Sequence, residues 1–348
     1  MMKSMKFFLP ILCLVLLLLA CKKDDVVPFD QTPDQDLIIT IQEQYVNPPS
    51  RVSVFFKVET KAGEPVAGLT EENFNIYEKG RNDDVEKLLS QDETTRILAD
   101  NSQLFEYRTM LVLDLSGSVL NNSLPQLKAA ANAFVDDVFA TTTNTSNNVG
   151  IWWFDGRDVI HSLINFNDDV EALHTAINSI NESISDDSST DLFGAVIKSA
   201  ALAENKLQEA QNQGVLSAVS IIMFTDGTDQ AARYSREEAY AAVDNASEGI
   251  KFYTIGLGAE IDETVLNRVG KTSSVFADDT AALTETFEEV ARLIADESNA
   301  YYLFEYCTPK RNGSGLNDLH IVAHKDNKEG RKITSFDATG FSDDCDLD

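Results

Sequence analysis

Basic residues are scarce in this chain. Lysine and arginine together number 28 against 57 aspartates and glutamates, for a formal net charge of −29. Sequence-independent binding to nucleic acid needs a basic face, and no Lys/Arg cluster supplies one, so nucleic acid is excluded as a partner. The acidity acts generally through solubility and self-repulsion, and its local use would be to attract divalent cations. The common hydrolytic signatures are also missing. There is no G-x-S-x-G elbow, no P-loop, no H-E-x-x-H and no second acid cluster suited to a two-metal site. Long apolar runs are limited to residues 7–19, too short for a comfortable transmembrane helix. What is present is ordinary globular material: 348 residues, 43% hydrophobic and 24% charged, enough for one large core or two domains.

The N-terminus is a targeting segment. "MMKSMKFFLPILCLVLLLLAC" sets Lys3 and Lys6 before the apolar run and ends at Ala20-Cys21. "LLAC" resembles the lipobox of bacterial lipoproteins. That resemblance implies a signal peptide over 1–20, cleavage before Cys21, a lipid on Cys21, and anchoring in the bacterial cell envelope as an outer-membrane lipoprotein. Residues 21–36, "CKKDDVVPFDQTPDQD", have nothing to bury and read as a tether. Lys22-Lys23-Asp24-Asp25 resembles the short export signal of some surface-exposed lipoproteins. Of the four cysteines, Cys13 leaves with the signal and Cys21 takes the lipid. An oxidising setting permits a disulfide between Cys307 and Cys345, with two free thiols as the alternative.

Three blocks follow. Residues 37–104 are β-like: Val52, Val54, Phe56 and Val58 alternate with other positions in "RVSVFFKVE", the pattern of a half-buried strand. Residues 105–299 alternate strands with helices. The strands are "TMLVLDLS", "NVGIWWFDG", "DVIHSLINF", "AVSIIMFTDG", "IKFYTIGLG" and "SSVFADD". The amphipathic stretches include "LPQLKAAANAFVDDVFA", "DVEALHTAINSI" and "LFGAVIKSAALAENKLQEA". Continuous apolar strands between helices predict an α/β fold with a doubly wound, mostly parallel sheet covered on both faces. Asp155-Gly156 between two strands is a hairpin signal, which predicts one antiparallel edge strand. Residues 300–348 return to β patterning. The two flanking blocks are expected to pack together as a small β-sandwich-like domain.

The chemistry gathers at strand ends. In an open parallel sheet, ligands bind at the carboxyl ends of strands, near the point where strand order reverses. Asp114 ends one strongly apolar strand and Asp226, in "IIMFTDGTD", ends another. Ser116 and Ser118 follow Asp114 at alternate positions, expected on one side of an extended turn. Between these strands lies "DDSSTDLFGAV", a polar loop that opens a helix at about Thr190 or Asp191. Two acids and three hydroxyls suit Mg²⁺, a hard cation that prefers oxygen ligands and keeps waters, with Mn²⁺ or Ca²⁺ also accommodated. The set contains no histidine or cysteine, which argues against zinc. Taken singly, each of these residues reads better as a cap or a turn than as a ligand.

Together the residues closely resemble the metal-ion-dependent adhesion site of von Willebrand factor A (vWA) domains. That family's pattern is D-x-S-x-S after the first strand, a later Thr, and T-D-G at a further strand end. Here these are Asp114-Leu115-Ser116-Gly117-Ser118, Thr190, and Thr225-Asp226-Gly227. The resemblance implies that Ser116, Ser118 and Thr190 bind the metal directly. Asp114 and Asp226 would act directly or through water, and the open position would take an Asp or Glu carboxylate from a protein partner. The family often has glycines before the Thr, whereas Ser188 and Ser189 stand there in this chain. "AGEPVAGLTEENFNIYEKG" and "YYLFEYCTPKRNGSGLNDLHIVAH" resemble segments that flank vWA domains in some bacterial secreted proteins.

Other signals carry less. His320 and His324 in "HIVAH" share a strand face and read as exposed strand residues. His161 and His174 have no obvious partner, and Trp152 and Trp153 read as core and its margin. Three functions stay open: a binding module that grips a partner through Mg²⁺, a structural scaffold whose metal only stabilises, and a metal-dependent hydrolase. Association that survives chelation would sink the first. Phosphoester turnover lost in Asp226→Ala would establish the third. Loops 119–124, 141–148, 183–189 and 227–233 would set specificity.

Overall fold

The computed structural model describes residues 35–80, 83–89, 96–99, 105–141, 146–310, 315–342 and 345–347. Residues 1–20, Cys21 and almost all of the 21–36 tether lie outside the described residues. Five strands come first: β1 (Leu37–Asn47), β2 (Arg51–Thr60), β3 (Phe74–Lys79), β4 (Lys87–Leu89) and β5 (Arg96–Ala99). The central block runs β6 (Phe105–Asp114), α1 (Gly117–Asn122), α2 (Leu124–Thr141), β7 (Ser146–Phe154), β8 (His161–Asn167), α3 (Val170–Ser179), α4 (Leu192–Asn212) and β9 (Leu216–Thr225). It continues with α5 (Arg236–Asp244), β10 (Ile250–Leu257), α6 (Glu263–Val269), β11 (Ser273–Ala277) and α7 (Leu283–Ser298). Strands β12 (Tyr301–Cys307), β13 (Leu316–Lys325) and β14 (Lys328–Asp337) close the chain. Among the described residues no helix is long and apolar enough to cross a membrane.

The central sheet has six strands in the order β11-β10-β9-β6-β7-β8. All pairings are parallel except β7 with β8, the antiparallel edge. The connection between those two spans residues 155–160, longer than the tight turn that Asp155-Gly156 suggests. Strands β6 and β9 lie at the centre, and each has neighbours on both sides and helices on both faces. Their apolar runs therefore disappear entirely into the core, as a two-sided parallel sheet requires. One core layer lies under α2, α3 and α7, the other under α4, α5 and α6. Helix α7 buries Leu283, Phe287, Val290, Ala291 and Ile294, the i, i+4, i+7 spacing of an amphipathic helix. Successive strands run from β6 to β7 on one side and back through α4 to β9 on the other. Strand order thus reverses between β6 and β9, which opens a crevice at their carboxyl ends.

The flanking segments form two four-stranded antiparallel sheets, β1-β2-β12-β5 and β14-β13-β3-β4. Val54, Phe56 and Phe304 from one meet Phe74, Ile76 and Ile321 from the other in a shared core. Phe74 touches Tyr302 and Phe304 across the gap, with ring centroids 5.7 and 5.6 Å apart. Strand β2 departs from the half-buried expectation. Its second face is also covered: Ser53, Phe55 and Lys57 are buried. The reason is that the β1-β2-β12-β5 sheet packs its outer face on the central block, where the rings of Phe55 and Tyr301 lie 5.0 and 4.5 Å from that of Phe105. Cys307, at the end of β12, is bonded to Cys345.

Two histidines differ from their sequence reading. His320 is not exposed but 5% accessible, because β13 is an inner strand, and its Nδ1 lies 3.0 Å from Glu86. His174 has a partner, with Nε2 at 3.1 Å from Asp136. His161 stacks on Trp153 at 3.9 Å, and both tryptophans are buried.

Candidate metal centre

Three loops meet in the crevice. The first begins at Asp114, the last residue of β6, which is completely buried. Its Oδ1 accepts the Ser116 amide at 2.9 Å and its Oδ2 accepts the Thr225 hydroxyl at 2.6 Å. Burial pushes its pKa up to about 7, although the bonds from Thr225 and Ser116 pull the other way and the nearby Asp226 adds to the rise. The chain does not continue extended, as the alternate spacing suggests. Ser116 is the N-cap of α1 and Ser118 lies in that helix's first turn. The turn still gathers both hydroxyls, with Ser116 Oγ and Ser118 Oγ 3.3 Å apart.

The second loop follows β9. Ser118 Oγ donates to Asp226 Oδ1 at 2.8 Å, so the first and second loops share a carboxylate. Asp226 is half-buried, and that burial raises its pKa, against the bond from Ser118 and with a further push from Glu260.

The third loop carries Thr190, which is 1% exposed. Its carbonyl accepts the amides of Gln230 (2.8 Å) and Ala231 (3.0 Å), which ties it to the loop after β9. The Ser188 carbonyl accepts the Gly117 amide at 3.0 Å, which ties it to the first loop. All five predicted residues therefore stand on three mutually bonded loops. Four of them, Asp114, Ser116, Ser118 and Asp226, are joined side chain to side chain or through one hydroxyl or amide.

The donor set fits a hard divalent cation. It comprises two carboxylates and serine and threonine hydroxyls, all oxygen. Among the described residues no cluster of three or more His, Cys, Asp or Glu could hold a metal, so a coordination shell built on Asp114 and Asp226 would draw on hydroxyls and water. No basic side chain is among the groups that shift Asp114 or Asp226. One fully buried and one half-buried carboxylate that, among the described residues, have no basic partner are a costly arrangement that a bound cation would relieve.

Several residues here escape sequence reading. Asp155 ends the β7 side of the crevice and is fully buried. It accepts from Arg157 Nε at 3.0 Å and Ser185 Oγ at 2.8 Å, and its carbonyl accepts the Asp191 amide at 3.0 Å, next to Thr190. In sequence Asp155-Gly156 signals only a turn. Its position at a third strand end beside the switch point is the clue that could have singled it out. Asp229 is similar: it accepts the Phe193 amide at 3.1 Å and the Ala232 amide at 3.0 Å, holding Ala232 at φ +51°.

The structure also accounts for Ser188 and Ser189 where glycines are common. The room lies in the facing loops. A Cβ on Gly117 would come within 2.8 Å of Ser188 Cβ, and one on Gly156 within 1.9 Å of Ser189 Oγ and 2.5 Å of Asp187 Oδ1. Gly117→Ala is expected to push the Thr190 loop away, with a roughly tenfold or greater loss of metal affinity and a stability loss of about 1–2 kcal/mol. Isothermal titration with MgCl₂ alongside urea unfolding measures both. Unchanged affinity would mean that the loop absorbs the methyl group without moving Thr190.

The model of the von Willebrand factor type A domain matches residues 110–290. Among solved structures, BatB from Bacteroides thetaiotaomicron is similar at 19% identity over 54% of this chain and 98% of that one, with a TM-score of 0.41. A von Willebrand factor type A protein from Catenulispora acidiphila is similar at 11% identity over 90% of this chain and 76% of that one, with a TM-score of 0.45. Proximal thread matrix protein 1 from the mussel byssus, in a form whose MIDAS motif holds zinc, is similar at 17% identity over 55% of this chain and 48% of that one, with a TM-score of 0.43. No curated protein matches the chain in sequence.

Proposed function

Because this chain belongs to the von Willebrand factor type A domain family, we propose that it is a binding module that grips a protein partner through a divalent cation. One observation carries this reading most: Asp114, fully buried, and Asp226, half-buried, stand together at the switch point of the sheet, linked through hydroxyls and, among the described residues, without a basic partner. Ser116, Ser118 and Thr190 would hold the ion directly, and Asp114 and Asp226 directly or through water. Mg²⁺ is the expected ion, with Mn²⁺ or Ca²⁺ as substitutes. A bound ion supplies a Lewis-acidic position that takes an Asp or Glu carboxylate of the partner. The chain's own residues do the rest. Thr225 and the Ser116 amide orient Asp114, Ser118 orients Asp226, and the Gln230 and Ala231 amides hold the Thr190 loop.

Anchoring by a lipid on Cys21 in the bacterial envelope completes the proposal, on the strength of "LLAC" behind an apolar leader. We read the protein as non-enzymatic, since its sequence carries none of the common hydrolytic signatures. A second reading follows from the burial of Asp114: the ion serves only to stabilise a scaffold.

Thermal unfolding of the chain from residue 24 onward separates these readings. A ligand that binds only the folded state adds roughly 2.7 kcal/mol at a hundredfold excess over Kd. A clear upward shift on moving from EDTA to Mg²⁺, absent in Asp226→Ala, is the expected result. No shift at millimolar metal means that the site is empty or waits for a partner's carboxylate to complete it, and a scaffold then becomes the better reading. A shift without any EDTA-sensitive association leaves the scaffold.

A further inference from the structure

A cleft of about 710 Å³ opens at the other end of the central sheet from the metal centre, where β10 begins. Lys251 and Lys271 line one side, and Lys57 and Glu59 of β2 line the other. Its floor is charged and withdrawn from solvent: Lys57 is 4% exposed and lies 2.7 Å from Glu59 and 2.5 Å from Glu297. Lys251 and Lys271 are neighbours across the sheet. The Thr272 amide donates to the Phe252 carbonyl at 3.0 Å, and the Phe252 amide donates to Thr272 Oγ1 at 3.1 Å. Each lysine stands one residue before that pair, on adjacent segments about 4.8 Å apart, so two ammonium groups share one wall. Neither is committed. Lys251 Nζ lies 3.9 Å from Glu59 and 4.0 Å from Glu297, beyond hydrogen-bond reach. Lys271 is exposed and, among the described residues, forms no ion pair. Of the acids lining the cleft, Glu59 is taken by Lys57 and Asp244 by Arg268, which leaves Glu248 against two ammonium groups.

We propose that this cleft binds an anionic saccharide, a sugar bearing a carboxylate or phosphate, with the charged group on Lys251 and Lys271 and the ring hydroxyls along the remaining walls. Charge argues for the anion. On a chain of net −29 most of the surface repels one, whereas here two like charges stand side by side and an anion between them relieves their repulsion. The walls argue for hydroxyls. Thr40, Gln42 and Thr272 offer neutral donors and acceptors, and Thr272 Oγ1, which accepts the Phe252 amide, keeps its own proton to donate. A sugar hydroxyl both donates and accepts, so it suits such a mixed wall. The large apolar residues of the lining, Val243, Ile250, Phe252 and Tyr301, are buried, so an acyl chain or an apolar peptide anchor finds little surface to cover. The volume is that of a small-molecule site and exceeds what a lone inorganic ion needs. The proposal requires no cation and stands apart from the metal-dependent reading.

The test applies the chain from residue 24 onward, in EDTA, to an array of oligosaccharides that pairs uronate- and phosphate-bearing members with their neutral parents. The expected result is retention on acidic members, with neutral parents weaker by roughly tenfold or more, and calorimetric affinities that fall as salt rises. Lys271→Gln, at an exposed position, should lower that affinity roughly tenfold while leaving urea unfolding and the Mg²⁺ thermal shift unchanged. Lys251→Gln should do the same to the affinity. Competition by glucuronate or glucose 6-phosphate alone assigns the cleft to a free sugar acid or sugar phosphate, and competition by oligosaccharides only assigns it to a glycan chain; both support the proposal. Equal retention of acidic and neutral members would overturn the role of the lysines. Inorganic phosphate that competes as tightly as a sugar phosphate would leave a simple ion site and overturn the saccharide. Retention of no member, or full affinity in both lysine variants, would overturn the proposal outright, whatever the metal centre does.

Discussion

In EDTA at about pH 7.5, Asp114→Asn should be more stable than the parent chain, yet show no response to Mg²⁺. The two halves of this result have one cause. Burial raises the Asp114 pKa from 3.8 to about 7, so the folded, metal-free state holds an ionised carboxylate where water cannot solvate it. For an acid raised in this way the sign is unfavourable to folding. Below about pH 4 the group is protonated in both states and costs nothing. Between about pH 4 and 7 the unfolded state ionises first, and stability falls as pH rises. Above about pH 7 the loss is complete and reaches up to about 4 kcal/mol, the free-energy equivalent of so large a rise in pKa. Asparagine keeps an acceptor for the Ser116 amide and can donate to Thr225, so much of that cost is relieved. It cannot supply the charge that a cation needs. Urea unfolding of both chains from about pH 4.5 to 8, with EDTA and then with MgCl₂, reads the difference. Parallel stability curves in EDTA would show that Asp114 is not the source of the strain.

The second large effect lies far from the crevice. Lys57 on β2 and Glu297 near the end of α7 are each almost fully buried and form an ion pair where the β1-β2-β12-β5 sheet meets the central block. Glu59 lies 2.7 Å from Lys57 Nζ, and Lys251 stands 4.0 Å from Glu297. Lys57→Met should cost about 3–5 kcal/mol, because it strands a buried carboxylate whose remaining cation is at the limit of contact. Lys57→Met combined with Glu297→Leu should recover most of that, since two apolar side chains of similar size fill the same space and Glu59 keeps Lys251. A double-mutant cycle by urea unfolding gives the coupling. Strict additivity of the two single changes would mean that the pair contributes nothing to holding the sandwich on the central block.

Much of this architecture is legible in the sequence because it depends on local pattern. Apolar runs such as MLVL and IIMF, flanked by amphipathic stretches, suit two-sided parallel strands between helices, and the acids that end them fall at the carboxyl edge by construction. The antiparallel β8 follows from a turn signal. Positions that depend on what covers a strand from outside are not legible. Lys57, Ser53 and His320 look solvent-facing in sequence, yet each is buried because another sheet, strand or loop lies over it. Asp155 and Asp229 look like turn residues, and only their hydrogen bonds show them bracing the Thr190 loop.

At the centre, residue order alone dictates the succession of donors, their chemistry as hard oxygen ligands, and their place at strand ends. The remaining features exist only in the folded chain. Ser118 swings into a helical turn to reach Asp226, Gly117 and Gly156 make room for Ser188 and Ser189, and Asp114 is buried deeply enough to resist ionisation. The reason is range. Residue type and spacing act over a few positions along the chain, whereas burial and loop-to-loop hydrogen bonds join residues roughly a hundred positions apart, such as Ser118 and Asp226, and these form only once β6 and β9 lie side by side.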